Sequence, residues 1–167
     1  MSDQIVNADP GRPALPNVPP GNNLRIELDC RVLLVEDGFA NVRFLAHVLK
    51  KAGAKVDVAV HGQLAMEKVL ETLAGDAQGV PRKKPFDLVL MDMQMPIMDG
   101  YDATRGLRYS GYTGPIIALT GHTESYDRQK CLGAGCDDYL AKPYDRTELL
   151  RLIRKYVGGP LRREKAV

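Results

Sequence analysis

No charge of either sign dominates this sequence. Across 167 residues, 23 lysines and arginines face 21 acids, for a formal net charge of +2. A surface dedicated to nucleic acid carries a clear basic excess, so that class of partner is excluded. Long apolar runs are also missing. None approaches the roughly 20 residues needed to cross a membrane, and residues 1–10 hold no apolar stretch of signal-peptide length. Cysteine is scarce: Cys30, Cys131 and Cys136 make an odd number with no CxxC spacing. That excludes a disulfide framework or a zinc site and points to a reducing cytoplasm. The three read as small core or surface thiols. There is no P-loop and no internal repeat, and Gly133-x-Gly135 follows a helical pattern instead of opening one, the wrong context for a nucleotide. What is left is length enough for one domain with a core and some extra tail.

Composition then changes along the chain. Pro10, Gly11, Pro13, Pro16, Pro19, Pro20 and Gly21 punctuate the start, which predicts an extended linker over residues 1–28. Residues 29–158 carry the domain, and residues 159–167 read as a polar, basic tail that frays. Within the domain, Val32-Leu33-Leu34-Val35 ends in Glu36-Asp37, Phe86-Asp87-Leu88-Val89-Leu90-Met91 ends in Asp92, and Ile116-Ile117-Ala118-Leu119 ends in Thr120. A weaker run, Tyr139-Leu140-Ala141, ends at Lys142. Short runs that are apolar throughout predict strands buried on both faces of a parallel sheet. Residues 55–60 instead partly alternate, with Val56, Val58 and Val60 on one face, which suits an edge strand.

Helical stripes fill the gaps. Val42, Leu45, Ala46 and Leu49 share a face and stop near Gly53; Ala65, Val69 and Leu73 repeat the pattern, as do Leu149, Leu152, Ile153 and Tyr156. A helix follows Asp99-Gly100 with Ala103 and Leu107 inward, and another ends at Gly133-Ala134-Gly135. Five alternations of strand and helix give an α/β, flavodoxin-like (βα)5 doubly wound parallel sheet of order 2-1-3-4-5.

In such a sheet every strand ends on one edge, where ligands bind. That edge collects Glu36, Asp37, Asp92, Thr120 and Lys142. Two unit charges about 4 Å apart repel by roughly 4 kcal/mol at an effective dielectric near 20, and one lysine cannot balance three carboxylates. An oxygen-only set without His or Cys favours Mg²⁺ or Mn²⁺ over zinc. Asp92 ends the central strand, apart from the other two acids. Beside a cation and Lys142 it can attack phosphorus and form an acyl phosphate. Thr120 offers a short hydroxyl to a phosphoryl oxygen.

At this point the chain resembles a known family. Leu34-Val35-Glu36-Asp37, Leu90-Met91-Asp92-Met93-Gln94-Met95-Pro96, Met98-Asp99-Gly100, Ala118-Leu119-Thr120 and Asp138-Tyr139-Leu140-Ala141-Lys142-Pro143 resemble the receiver domains of two-component response regulators, above all those of hybrid sensor histidine kinases. The resemblance covers residues 30–157. It implies that Asp92 is the phosphoacceptor and that Asp37, Asp92 and the backbone carbonyl of Gln94 ligate Mg²⁺, with Glu36 acting largely through water. It further implies that Lys142 contacts the phosphoryl group, that the bond to Pro143 is cis, and that Thr120 and Tyr139 form a switch pair. The phosphoryl donor would be a histidine kinase or a histidine phosphotransfer domain. A partner or a second receiver would dock on the face of the fourth helix, fifth strand and fifth helix. Such a receiver catalyses only its own phosphorylation and slow dephosphorylation. With little chain beyond Tyr156, it is expected to be the receiver portion of a hybrid kinase, or alternatively a stand-alone regulator.

Three features depart from the family pattern. Gly38 stands where these receivers often carry Asn, which would open the rim above the metal. His122 follows Thr120 by two residues, either as an exposed helix-start histidine or as a side chain governing hydrolytic water. Residues 75–85 form a long loop containing Arg82-Lys83-Lys84, read as a solvated insertion. Against a haloacid-dehalogenase-like phosphatase, the position two after the strand-ending Asp is Gln94 where that class has a second Asp, and no cap domain is present.

Overall fold

The computed structural model describes residues 24–81, 83–121, 125–158 and 161–163. Along them run β1 (Leu24–Ile26), β2 (Arg31–Val35), α1 (Phe39–Lys51), β3 (Lys55–Ala59), α2 (Gly62–Leu73), β4 (Leu88–Asp92), α3 (Gly100–Tyr109), β5 (Ile116–Thr120), α4 (Ser125–Ala134), β6 (Asp138–Ala141), α5 (Arg146–Val157) and β7 (Leu161–Arg163). Five strands form a parallel sheet in the order β3-β2-β4-β5-β6. Counted among themselves they run 2-1-3-4-5, the flavodoxin-like order expected from the sequence. β3 lies at an edge as its pattern indicated, although Val60 falls past the strand and is exposed.

The central strands are apolar throughout because both their faces are covered. Val32, Leu34, Leu88, Leu90, Ile117 and Leu119 pack with Leu45 and Leu49 of α1 and with Leu149, Leu152 and Ile153 of α5. The alternate residues Leu33, Val35, Val89, Met91, Ile116 and Ala118 pack with Ala65 and Val69 of α2, Ala103 and Leu107 of α3 and Cys131 of α4. Each fully buried aliphatic side chain contributes about 1.5–3 kcal/mol, so the two layers together hold the helices against both faces of the sheet. Helix ends follow local chemistry. Asp99 Oδ1 accepts from Asp102 N–H at 2.9 Å and Asp145 Oδ1 from Glu148 N–H at 2.8 Å, each capping a helix that begins beside the sheet edge. After α1 the chain turns at Gly53 with φ +101°, a conformation that favours glycine.

Some expectations need correction. On α2 the buried residue of the last turn is Thr72, while Leu73 is 39% exposed. Thr72 lies three residues from Val69 and donates its hydroxyl to Val69 O at 2.7 Å, so it is buried without an orphaned polar group. The linker expected over residues 1–28 gives way to packed chain before its end. Ile26 and Leu28 are buried in the layer with α1 and α5, and Leu28 N–H bonds to Ala52 O at 2.6 Å. β1 also pairs antiparallel with β7, so part of the segment read as a fraying tail is a strand. Residues 1–23, Arg82, His122 and, from the tail, residues 159–160 and 164–167 lie outside the described residues.

Within the long loop, residues 75–81 close on themselves. Asp76 Oδ1 accepts from the N–H groups of Gln78 and Val80, both at 2.9 Å, and Gly75 bridges to Pro81. Lys83 pairs with Glu71 of α2 and Lys84 with Asp87 just before β4, so two of its cations meet acids that flank the loop.

Candidate functional site

The sheet ladder continues just past the strands and aims the site residues. Glu36 N–H bonds to Ala59 O at 3.0 Å, Met93 N–H to Leu119 O at 3.0 Å and Lys142 N–H to Thr120 O at 2.7 Å. These bonds bring Glu36, Asp37, Asp92, Thr120 and Lys142 to one edge, as the order of apolar runs predicted. Glu36, Asp92 and Thr120 are buried, Lys142 is half-buried, and Asp37 and Gln94 are exposed. One oxygen from each of Glu36, Asp37 and Asp92 lies within 4.8 Å of the others.

Lys142 Nζ bridges two of the acids, donating to Asp92 Oδ2 at 3.0 Å and Glu36 Oε2 at 3.2 Å. The second oxygen of Asp92, Oδ1, accepts from Gln94 N–H at 3.0 Å. Burial raises the pKa of Asp92 above the ordinary carboxyl range; the Gln94 and Lys142 hydrogen bonds pull against that, and Glu36 adds to it. For Lys142, burial opposes the charge, but Asp92 and then Glu36 outweigh it and the pKa is raised. Three carboxylates against one ammonium leave negative charge in excess among oxygen donors alone. That set suits a hard divalent cation.

The loop after Asp92 is tightly constrained. Gly100 N–H bonds to Met93 O at 3.2 Å, and a Cβ at Gly100 would lie 2.7 Å from Met93 Cα, so only glycine lets α3 begin this close. Ile97 is exposed with φ +74°, in a three-residue turn closed by Met98 N–H to Pro96 O at 2.9 Å. A β-branched residue is strained there. The Lys142–Pro143 bond is cis, as the resemblance implied. In the β5–β6 register Ala118 pairs with Tyr139 and Thr120 with Ala141, which puts Thr120 and half-buried Tyr139 on the same face of the sheet.

Two groups of polar residues were not anticipated. Glu36 Oε1 accepts from Gly38 N–H at 3.0 Å and from Asn41 Nδ2 at 3.2 Å. Asn41 sits on the first turn of α1, a position from which a side chain reaches back toward the strand it follows, and this placement was its signal in the sequence. Asp138, beside Tyr139, accepts from Lys155 at 2.9 Å and Tyr156 at 3.0 Å, and these residues with Arg128, Leu132 and Tyr139 line a shallow cavity between α4, β6 and α5. Nothing in local pattern joins Asp138 to Lys155.

Comparison with known proteins agrees with this geometry. The family model of the response regulator receiver domain matches residues 32–154. Hybrid signal transduction histidine kinase M of Dictyostelium discoideum is 35% identical over 75% of this chain, which spans 5% of that protein's length. The sensor histidine kinase GacS of Pseudomonas protegens is 35% identical over 80% of the chain, which spans 14% of it. The two-component response regulator ORR41 of Oryza sativa is 39% identical over 75% of the chain and is spanned to 93%. Among solved structures, the receiver domain of a sensor histidine kinase from Pseudomonas aeruginosa PAO1, with magnesium in its active-site cleft, is 37% identical with a TM-score of 0.65, covering 78% of this chain and 98% of that one. The receiver domain of the histidine kinase CKI1 from Arabidopsis thaliana, complexed with Mg²⁺, is 37% identical with a TM-score of 0.68, covering 78% and 94%. With the strand order, the acidic edge and the family match in agreement, this chain belongs to the response regulator receiver domains of two-component systems, homologous to the receivers of hybrid histidine kinases.

Proposed function

We propose that this receiver takes a phosphoryl group from a phosphohistidine onto Asp92. The observation that carries the reading is the Lys142 ammonium held between Asp92 and Glu36, beside a third acid at the open edge of the sheet. A carboxylate oxygen of Asp92 attacks phosphorus; the Asp–O–P bond forms as the N–P bond breaks, and its electron pair stays with the departing imidazole. Lys142 meets the charge on the transferring oxygens, and the Thr120 hydroxyl hydrogen-bonds one of them. Asp37, Asp92 and the Gln94 carbonyl would hold Mg²⁺, or Mn²⁺, with Glu36 acting through water, and that ion would neutralise phosphoryl charge.

The donor is a histidine kinase or a histidine phosphotransfer domain, in the cytoplasm. The output is a rearrangement of Thr120 and Tyr139, with Pro143 as part of the switch, that alters the face of α4, β6 and α5, where a partner or a second receiver docks. Tyr139 lines the cavity on that face, which supports this choice. We place the chain in a hybrid histidine kinase, on its likeness to receivers of that setting. The extent of its match to the rice regulator favours a stand-alone receiver as the second reading.

Acetyl phosphate with Mg²⁺ is expected to add one phosphoryl mass to the intact protein, and Asp92→Asn to remove that adduct. Equal labelling of the variant would refute the assignment.

A further inference from the structure

The Oε1 atom of Glu36 is gripped from two sides. Glu36 is 1% exposed, so its carboxylate depends on protein donors: Gly38 N–H and the Asn41 amide on Oε1, Lys142 on Oε2. Gly38 precedes α1 with φ −74° and ψ 110°, a backbone any residue adopts, so conformation does not demand glycine. Space does. A Cβ at Gly38 would lie 2.9 Å from Glu36 Oε1 and 3.2 Å from Asn41 Nδ2.

We propose that Asn41, reaching over the space left by Gly38, is a positioning residue for phosphoryl transfer: it turns the Glu36 carboxylate so that Oε2 holds the Lys142 ammonium beside Asp92. This rests on the phosphoacceptor reading above. Asn41 touches no reacting atom and acts through Glu36. Without its donor the carboxylate keeps one hydrogen bond on Oε1 and rotates more freely about its last torsion. The ammonium then loses a fixed partner 3.2 Å away while its bond to Asp92 must hold alone. A charge that must already be in place when phosphorus arrives is less often there.

The test measures initial rates of Asp92 phosphorylation by acetyl phosphate and Mg²⁺, with circular dichroism confirming that each variant is folded. Asn41→Ala is expected to react roughly three- to tenfold more slowly, the loss that one hydrogen bond of ordinary net strength represents. Gly38→Ala is expected to slow the reaction too, and the double variant to be no slower than the slower single. In a Glu36→Ala background Asn41→Ala should have no further effect, which a merely structural role would not produce. A second readout needs neither phosphodonor nor metal: the Lys142 side-chain NMR signals should shift in Asn41→Ala. An Asn41→Ala rate within twofold of wild type, or an undiminished effect without Glu36, overturns the proposal. Should wild type itself fail to be phosphorylated, the phosphoacceptor reading is lost. The Lys142 signals then decide the clamp alone, a shift supporting it and no shift overturning it.

Discussion

Lys155 on α5 sets its ammonium 2.9 Å from Asp138 Oδ2 at the start of β6, one residue before Tyr139. Tyr156 donates to the same oxygen at 3.0 Å, and Asp138 Oδ1 accepts from Tyr139 N–H at 2.9 Å. The buried carboxylate therefore ties α5 to the strand that carries Tyr139.

Replacing Lys155 with Met should leave Asp138 without its cation while Tyr156 remains. Breaking a fully buried pair costs about 3–5 kcal/mol. The Lys155 side chain is 32% exposed, so the loss should be nearer 1–2 kcal/mol after allowing for solvent screening. Urea unfolding at neutral pH checks this, and an unchanged midpoint would contradict it.

The switch is testable by NMR. A phosphoryl group on Asp92 draws the Thr120 hydroxyl and the Lys142 ammonium toward it, and Tyr139 shares the sheet face of Thr120. A bias of about 5.5 kcal/mol would carry a two-state element from 1:99 to 99:1, and smaller biases switch it partly. With beryllofluoride standing in for the phosphoryl group, shifts are expected to spread from the Asp92 loop to α4, β6 and α5. Thr120→Ala should still accept phosphate on Asp92 yet confine those shifts to the loops. Wild-type shifts confined in the same way would break the proposed link between Thr120 and Tyr139.

Asp37 is the exposed member of the acidic cluster. Asp37→Ala should abolish Mg²⁺-dependent phosphorylation while the melting temperature holds or rises, since a repelling charge is removed from Asp92 and Glu36. Calorimetric titration with Mg²⁺ should show binding to wild type in the micromolar-to-millimolar range and none to the variant. Phosphorylation at full rate in a chelator would overturn the metal assignment.

The thiols should be inert in the folded chain. Burial pushes Cys30 up to about 11 and Cys136 up to about 12, well above an ordinary thiol near 8.5. At pH 8 a disulfide reagent should therefore label them only as the chain unfolds in urea. Both folded-state values lie above the unfolded one, so the folded state binds protons more tightly. Their contribution to stability is complete below about pH 8.5 and declines as pH rises through about 11. Rapid labelling without denaturant would show that burial does not protect them.

Much of the site was legible because a parallel sheet sends every strand C-terminus to one edge. The order of apolar runs was then enough to gather Glu36, Asp37, Asp92, Thr120 and Lys142, without knowledge of any distance. The partly alternating run put β3 at an edge, and the flavodoxin-like arrangement that fits such an edge strand supplied the order the sheet shows. Tertiary structure decided the rest. It chose Thr72 over Leu73 on α2, with the buried hydroxyl satisfied by Val69 O, and it paired β1 with β7, strands too short to show a period and far apart in the chain. It also settled which oxygen of Glu36 faces Lys142 and which is held by Gly38 and Asn41, and it joined Asp138 to Lys155. Periodicity records which face a residue occupies. A hydrogen bond depends on tenths of an ångström between atoms that only the packed chain brings together.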